Sequence, residues 1–302
     1  MARCIIAGVM TLAHVENGPS TLAVPQSTGT ERPRLKVPPN ATDCHHHIYD
    51  ARFPADPTAT VKAPDATVAD YCLLQKRLGT TRNVIVQPSA YGVDNRLLVE
   101  SLGTFGLKTT RGIAVVNSSV TDAELKQLDA AGVRGIRFNL KQAGATTWEM
   151  VEPLSKRVAA LGWHIQVNAP AQQIAAQKDL WNRVTSQIVF DHLANVPAVG
   201  MTDPLFGVVS ELLQKRKAWV KLSGAYIESK VGPPTYADST VVAKAFVKKA
   251  PERLVWGSDW PHPTEKVKPD DAVLLDLLTQ WAPDAATRNR ILVDNPAKLY
   301  GF

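Results

Sequence analysis

The chain is poor in cysteine. Cys4, Cys44 and Cys72 are too few and too irregularly spaced for a disulfide framework or a thiolate metal site, so they read as reduced, buried thiols. It also lacks any apolar run approaching the ~20 residues of a membrane-crossing helix, which argues against a membrane partner. No glycine-rich phosphate turn follows an early strand, and this removes the main mark of a dinucleotide-binding open sheet. The net charge of +6 comes without an arginine-aromatic nucleic-acid motif. Lys215-Arg216-Lys217 and Lys248-Lys249 fall in helical patterns as solvated faces. No nucleic-acid partner is expected, only a mild bias toward small anions. Ser223 has neither a neighbouring base nor a nucleophile elbow, which excludes serine-hydrolase chemistry.

What is present is a 302-residue chain, 45% hydrophobic, long enough for one large core. Residues 1–40 are expected to form an extended or disordered lead-in, rich in Pro, Ser, Thr and Gly from 17 to 40. The apolar run at 4–13 behind Arg3 has the look of a signal remnant without a clear cleavage site, so cytoplasm and periplasm both stay open. From residue 41 to 302 apolar runs alternate with amphipathic segments. The runs lie at 41–47, 82–87, 111–116, 133–140, 163–168, 187–192, 218–224 and 253–259. Thr67 and Gly79 bracket the first helix, and Thr121 with Glu124 forms a capping box for the third. Further helices are expected at 94–102, 148–161, 171–182, 204–215, 239–249, 270–280 and 284–293. Eight mostly continuous apolar strands separated by helices predict a single-domain parallel (β/α)8 TIM barrel.

In such a barrel the chemistry sits at the C-terminal ends of the strands. The first run ends in Asp43-Cys44-His45-His46-His47, and strand alternation turns His45 and His47 to one side and His46 to the other. Two imidazoles on one face bind a metal, polarise a carbonyl or move protons. The other strand ends carry Gln87 and Ser89, Arg137 and Asn139, Gln166 and Asn168, Asp191 and His192, Ser223 and Tyr226, and Asp259. Asp259 lies between Trp256 and Trp260, where burial raises a carboxyl pKa unless a cation or metal compensates. That setting suits a general base. Arg137 reads as an ion-paired barrel residue or a carboxylate clamp. Gln87, Gln166, Asn139 and Asn168 read equally as barrel hydrogen-bonding groups or ligand contacts.

The words DCHHHIYD, VIVQPSAYGVDNR, GVRGIRFN, GWHIQV, VFDHLA, VKLSGAY, LVWGSDWPHP and NPAKLYGF resemble the amidohydrolase superfamily, in the branch of pyrone-dicarboxylate and sugar-acid lactonases. The likeness runs from about residue 41 to the C-terminus. It implies lactone hydrolysis in which Asp259 activates water and His45, His47 and His192 polarise the carbonyl. No cofactor is then required, although a single Zn²⁺ or Mn²⁺ on His45, His47 and Asp259 is chemically admissible. The resemblance leaves Arg137 as a carboxylate clamp with Ser89, Tyr91 and Tyr49 around it, and the strand-end residues Gln87, Asn139, Gln166 and Tyr226 are further expected substrate contacts. It also implies arginines for a second carboxylate where this chain has Ala143 and Ile227. The expected partner is therefore a small lactone, anionic with one carboxylate or else hydroxylated, bound by a monomer or small homo-oligomer. The alternative is a metal-dependent nonoxidative decarboxylase of the same superfamily.

Overall fold

The computed structural model describes residues 22–61, 63–141, 144–197 and 200–302. The apolar run at 4–13 and Ala143 lie outside the described residues. Eight strands form one parallel sheet in chain order: β1 (Thr42–His46), β2 (Arg82–Val86), β3 (Thr110–Ala114), β4 (Val133–Asn139), β5 (His164–Asn168), β6 (Ile188–Phe190), β7 (Ala218–Leu222) and β8 (Leu254–Trp256). The sheet curls until its edges meet just beyond β8. There His47 N donates to Trp260 O at 2.8 Å and Asp259 N to His45 O at 2.7 Å. The seam that closes the barrel thus brings the histidine run beside Asp259.

The strands are buried on both faces, which explains their unbroken apolar sequences. Outward residues such as Ile85, Ile136, Phe138 and Ile165 join the core shared with the helices. A second cluster of Cys44, Val84, Val86, Ile113, Val189, Trp219, Val255 and Tyr300 fills the barrel interior. Each fully buried Val or Leu side chain contributes roughly 1.5–3 kcal/mol.

The local signals behave as their chemistry dictates. Helix α1 (Val68–Leu78) starts at a capping box of Thr67 and Asp70 and stops at Gly79, whose φ of 83° suits a residue without Cβ. The second and third helices are α2 (Arg96–Phe105) and α3 (Asp122–Ala130), the latter with the Thr121–Glu124 box. Around the barrel follow α4 (Val151–Ala159), α5 (Ala171–Ala176), α6 (Lys178–Arg183), α7 (Pro204–Gln214), α8 (Ala237–Lys249) and α9 (Asp271–Asp276). The helix expected at 171–182 is two helices, because Gln177 between them leaves helical backbone angles at φ −90°, ψ 24°.

Residues 22–40 contain no helix or strand, only a bridge between Val24 and Ser27. They are tied down nonetheless. Trp260 Nε1 donates to Pro25 O at 2.8 Å, Arg77 to Gly29 O at 2.6 Å, and Leu35 N to Asp276 Oδ1 at 2.8 Å.

Candidate active site

At the C-terminal end of the barrel a cavity of about 120 Å³ is lined by His47, Tyr49, Ser89, Arg137, Asn139, Lys141, Asn168, His192, Ile227 and Asp259, among others. His45 and His47 do share a side, as strand alternation requires. His46 points away, stacked on the Tyr71 ring at 3.5 Å, with Nε2 on Asn83 Oδ1 at 3.0 Å. The ladder shifts between Asp43 and His46, and Gly257 lets β1 and the segment after β8 approach: a Cβ there would lie 2.6 Å from that of His45.

Asp259 Oδ1 faces three imidazoles. It is 3.5 Å from His45 Nε2, 3.6 Å from His47 Nε2 and 3.9 Å from His192 Nε2. His45 Nε2 and His47 Nε2 are themselves 3.3 Å apart. The spacings to Asp259 exceed ordinary hydrogen bonds. Among His45, His47 and Asp259 the spacings of 3.3, 3.5 and 3.6 Å lie close to the roughly 3.3–3.5 Å between ligands of a tetrahedral ion with ~2.0–2.1 Å bonds, and His192 at 3.9 Å lies outside it. His45, His47 and Asp259 therefore fit a single divalent cation by spacing. His47 also fits by tautomer, since Nδ1 lies 2.7 Å from the Val86 carbonyl, which only accepts, leaving the Nε2 lone pair toward the site. His45 is held differently, because Lys221 Nζ lies 3.1 Å from its Nδ1.

The floor of the site is a buried charge cluster. Asp191 takes Arg137 Nε at 3.1 Å and Gln166 Nε2 at 3.1 Å on one oxygen, and faces Lys221 at 3.5 Å with the other. Lys221 also donates to Gln166 Oε1 at 2.6 Å. Burial alone would raise the Asp191 carboxyl, but the His45 ring and the cations Lys221 and Arg137 overcome it and hold the group well below the usual carboxylate range. Burial lowers Lys221 to about 8, and burial with the nearby ammonium keeps His45 neutral, well below the usual imidazole range.

Asp259 shows the compensation that its sequence setting demands. Burial pushes its carboxyl up, yet the rings of His192, His47 and His45 outweigh this and keep it well below its ordinary value. Burial lowers His192 in turn, against the pull of the Asp259 carboxylate. Four consecutive non-glycine residues from His192 to Asn195 take positive φ, and this turn carries the His192 ring against Ser223 Oγ at 3.0 Å from Nδ1. Gly224 makes room for it, since a Cβ there would lie 2.9 Å from Nδ1.

The other candidates divide. Across the mouth an amide chain runs from Asn195 through Asn168 and Asn139 to Ser89, in steps of 3.0, 3.1 and 2.7 Å. Tyr49 lines the cavity. Gln87 instead donates to Asp94 O at 2.7 Å, Gln166 lies fully buried beneath the histidines, and the Tyr91 hydroxyl accepts from Asp50 N at 2.9 Å. Tyr226 spends its hydroxyl on Asp259 Oδ2 and His262 rather than on the cavity.

Lys221, His262 and Asp271 were not among the sequence candidates. Lys221 had a signal, a charged residue inside an apolar strand that no solvated face could explain. Asp271 reads in sequence as one of two carboxylates at a helix start, with no sign of its partner.

The chain is similar to known proteins over most of its length. The family model described as Amidohydrolase matches residues 42–302. The chain is 35% identical over 289 residues to the 2-pyrone-4,6-dicarboxylate hydrolase of Comamonas testosteroni, covering 89% of this chain and 92% of that one. It is 35% identical over 274 residues to the 4-sulfomuconolactone hydrolase of Rhizobium radiobacter, with 88% and 91% covered. A ligand-free crystal structure from Agrobacterium tumefaciens superposes with a TM-score of 0.83 at 28% identity, over 92% of this chain and 98% of that one.

Proposed function

Because the chain belongs to the amidohydrolase family, we propose that it hydrolyses a lactone bearing one carboxylate or several hydroxyls. The observation that carries this reading is Asp259 Oδ1, ionised and facing the imidazoles of His45, His47 and His192 in a buried mouth beside Arg137. Asp259 takes a proton from water as the water oxygen attacks the lactone carbonyl. Imidazole N–H donors from His45 and His192 meet the developing oxyanion. Collapse breaks the ring C–O bond, and the proton held on Asp259 passes to the departing oxygen.

Arg137 uses Nε on Asp191, so its remaining guanidinium nitrogens serve a substrate carboxylate. The two relatives named above are described as hydrolases of anionic lactone-type substrates, which favours the same class here. Ile227 lines the cavity where the resemblance implied an arginine, which favours one carboxylate over two. If a divalent ion binds, His45, His47 and Asp259 would hold it, and it would supply Lewis-acid polarisation of the carbonyl or a more acidic water. The decarboxylase reading gains nothing from relatives named as hydrolases.

A panel of carboxylated and sugar-acid lactones followed by pH indicator, with and without chelator, tests this. Acid release from a lactone that persists under chelation is expected. Carbon dioxide release with no ring opening on the whole panel would overturn the reading.

A further inference from the structure

Behind Asp259 runs a line of buried polar groups that the reaction above does not use. Tyr226 donates its hydroxyl to Asp259 Oδ2 at 2.6 Å, and His262 Nδ1 lies 2.9 Å from the same tyrosine oxygen. On its far side His262 Nε2 is 3.2 Å from each oxygen of Asp271, and His262 and Asp271 are both fully buried.

The direction of these bonds follows from what each group can do. A tyrosine has one proton, and while it goes to Asp259 the tyrosine oxygen must accept from His262 Nδ1–H. A carboxylate only accepts, so Asp271 takes Nε2–H. Donating from both nitrogens, the ring is an imidazolium paired with the Asp271 carboxylate, and it is held from both edges.

We propose that His262, anchored by Asp271, is a positioning residue that acts through Tyr226 to fix the plane of the Asp259 carboxylate, with Oδ1 turned toward the imidazoles. The inference rests on Asp259 being the base of the proposed reaction. A carboxylate's terminal torsion is broad and needs an outside partner to be fixed. The three imidazoles all approach Oδ1, at 3.5–3.9 Å, too loosely to set the plane themselves. Among the described residues Tyr226, from the loop after β7, supplies the one short side-chain bond to this carboxylate, and it gains its own fixed direction from His262. Asp259 and His262 both adopt positive φ, at 64° and 54°, and His262 N donates to Asp259 O at 2.9 Å. The turn therefore presents base and positioning ring as one unit.

The test compares Tyr226→Phe, His262→Leu and His262→Asn in the full chain, with chelator present. Asn keeps a donor at the Nδ1 position, whereas Leu removes both contacts. For a lactone that the parent opens, kcat is expected to fall about 10–100-fold in Tyr226→Phe and His262→Leu with KM nearly unchanged, and to recover in His262→Asn. An unchanged kcat, a rise confined to KM, or equal loss in Leu and Asn would overturn the proposal. A second readout needs no turnover: the infrared carboxylate band isolated as parent minus Asp259→Asn should shift alike in Tyr226→Phe and His262→Leu. An unshifted band in His262→Leu overturns the positioning role even if no lactone is opened. A parent that opens no lactone but shows the shift overturns only the lactonase reading.

Discussion

Lys221 Nζ stands 3.1 Å from His45 Nδ1, and both side chains are sealed from solvent. An ammonium only donates, so the Lys221 contact favours a His45 that accepts at Nδ1 and carries its proton on Nε2, against the pull of Asp191 Oδ1 at 3.3 Å from the same Nδ1. A protonated Nε2 is a donor to a carbonyl and a poor metal ligand. Lys221 thus biases the histidine pair toward polarising substrate.

Lys221→Met, which keeps all but the terminal atom of the side chain's length, should lower kcat about 10–100-fold and tighten Zn²⁺ binding by freeing the Nε2 lone pair. Steady-state kinetics in chelator and a competition titration with a zinc chelator measure the two effects. Unchanged kcat together with unchanged Zn²⁺ affinity would show that the lysine does not govern His45.

Arg137 gives a test of substrate charge. Arg137→Lys keeps a cation near Asp191 but loses the planar fork. Losing a charge-assisted contact of ~1.5–3 kcal/mol should raise KM for a carboxylated lactone roughly 10–150-fold. A neutral lactone of the same ring should change little. Equal losses on both substrates would place Arg137 in scaffolding alone.

The barrel was legible because each strand is an apolar run buried on both faces, and the local caps at Thr67, Gly79 and Thr121 depend only on near neighbours. His45, His47, His192 and Asp259 were legible because strand ends in a barrel converge. The pairs that support them were not. Asp43 meets Ser258 across 215 residues, Lys221 meets His45 across 176 and Tyr226 meets His262 across 36. Such partners are created by closure of the barrel, and no periodicity carries them. Tyr226 was expected at the substrate for the same reason, since its place at a strand end says nothing of which way its hydroxyl turns.

Asp43 shows what one such long-range partner does to stability. Its carboxylate accepts from Ser258 Oγ at 2.6 Å, Ser258 N at 2.9 Å, Tyr71 Oη at 2.9 Å and His45 N at 3.1 Å. Burial nevertheless raises its pKa from 3.8 to about 6 despite these bonds. The folded chain keeps a proton there that the unfolded chain has released, so this contribution is full below 3.8 and is lost as pH rises through about 6. Asp43→Asn cannot titrate. Its stability relative to the parent should improve between pH 4 and pH 7 by roughly 2 kcal/mol, read from urea unfolding at both values. Parallel stability curves would contradict this.

The most direct test of the central claim compares the parent with Asp259→Asn on any lactone that the parent opens, in chelated buffer. Asparagine keeps the size of the side chain and cannot take the proton from water. The account predicts a fall in kcat of about 10²–10⁴-fold, the range for a general base, with KM little changed. Turnover by Asp259→Asn equal to that of the parent would contradict it.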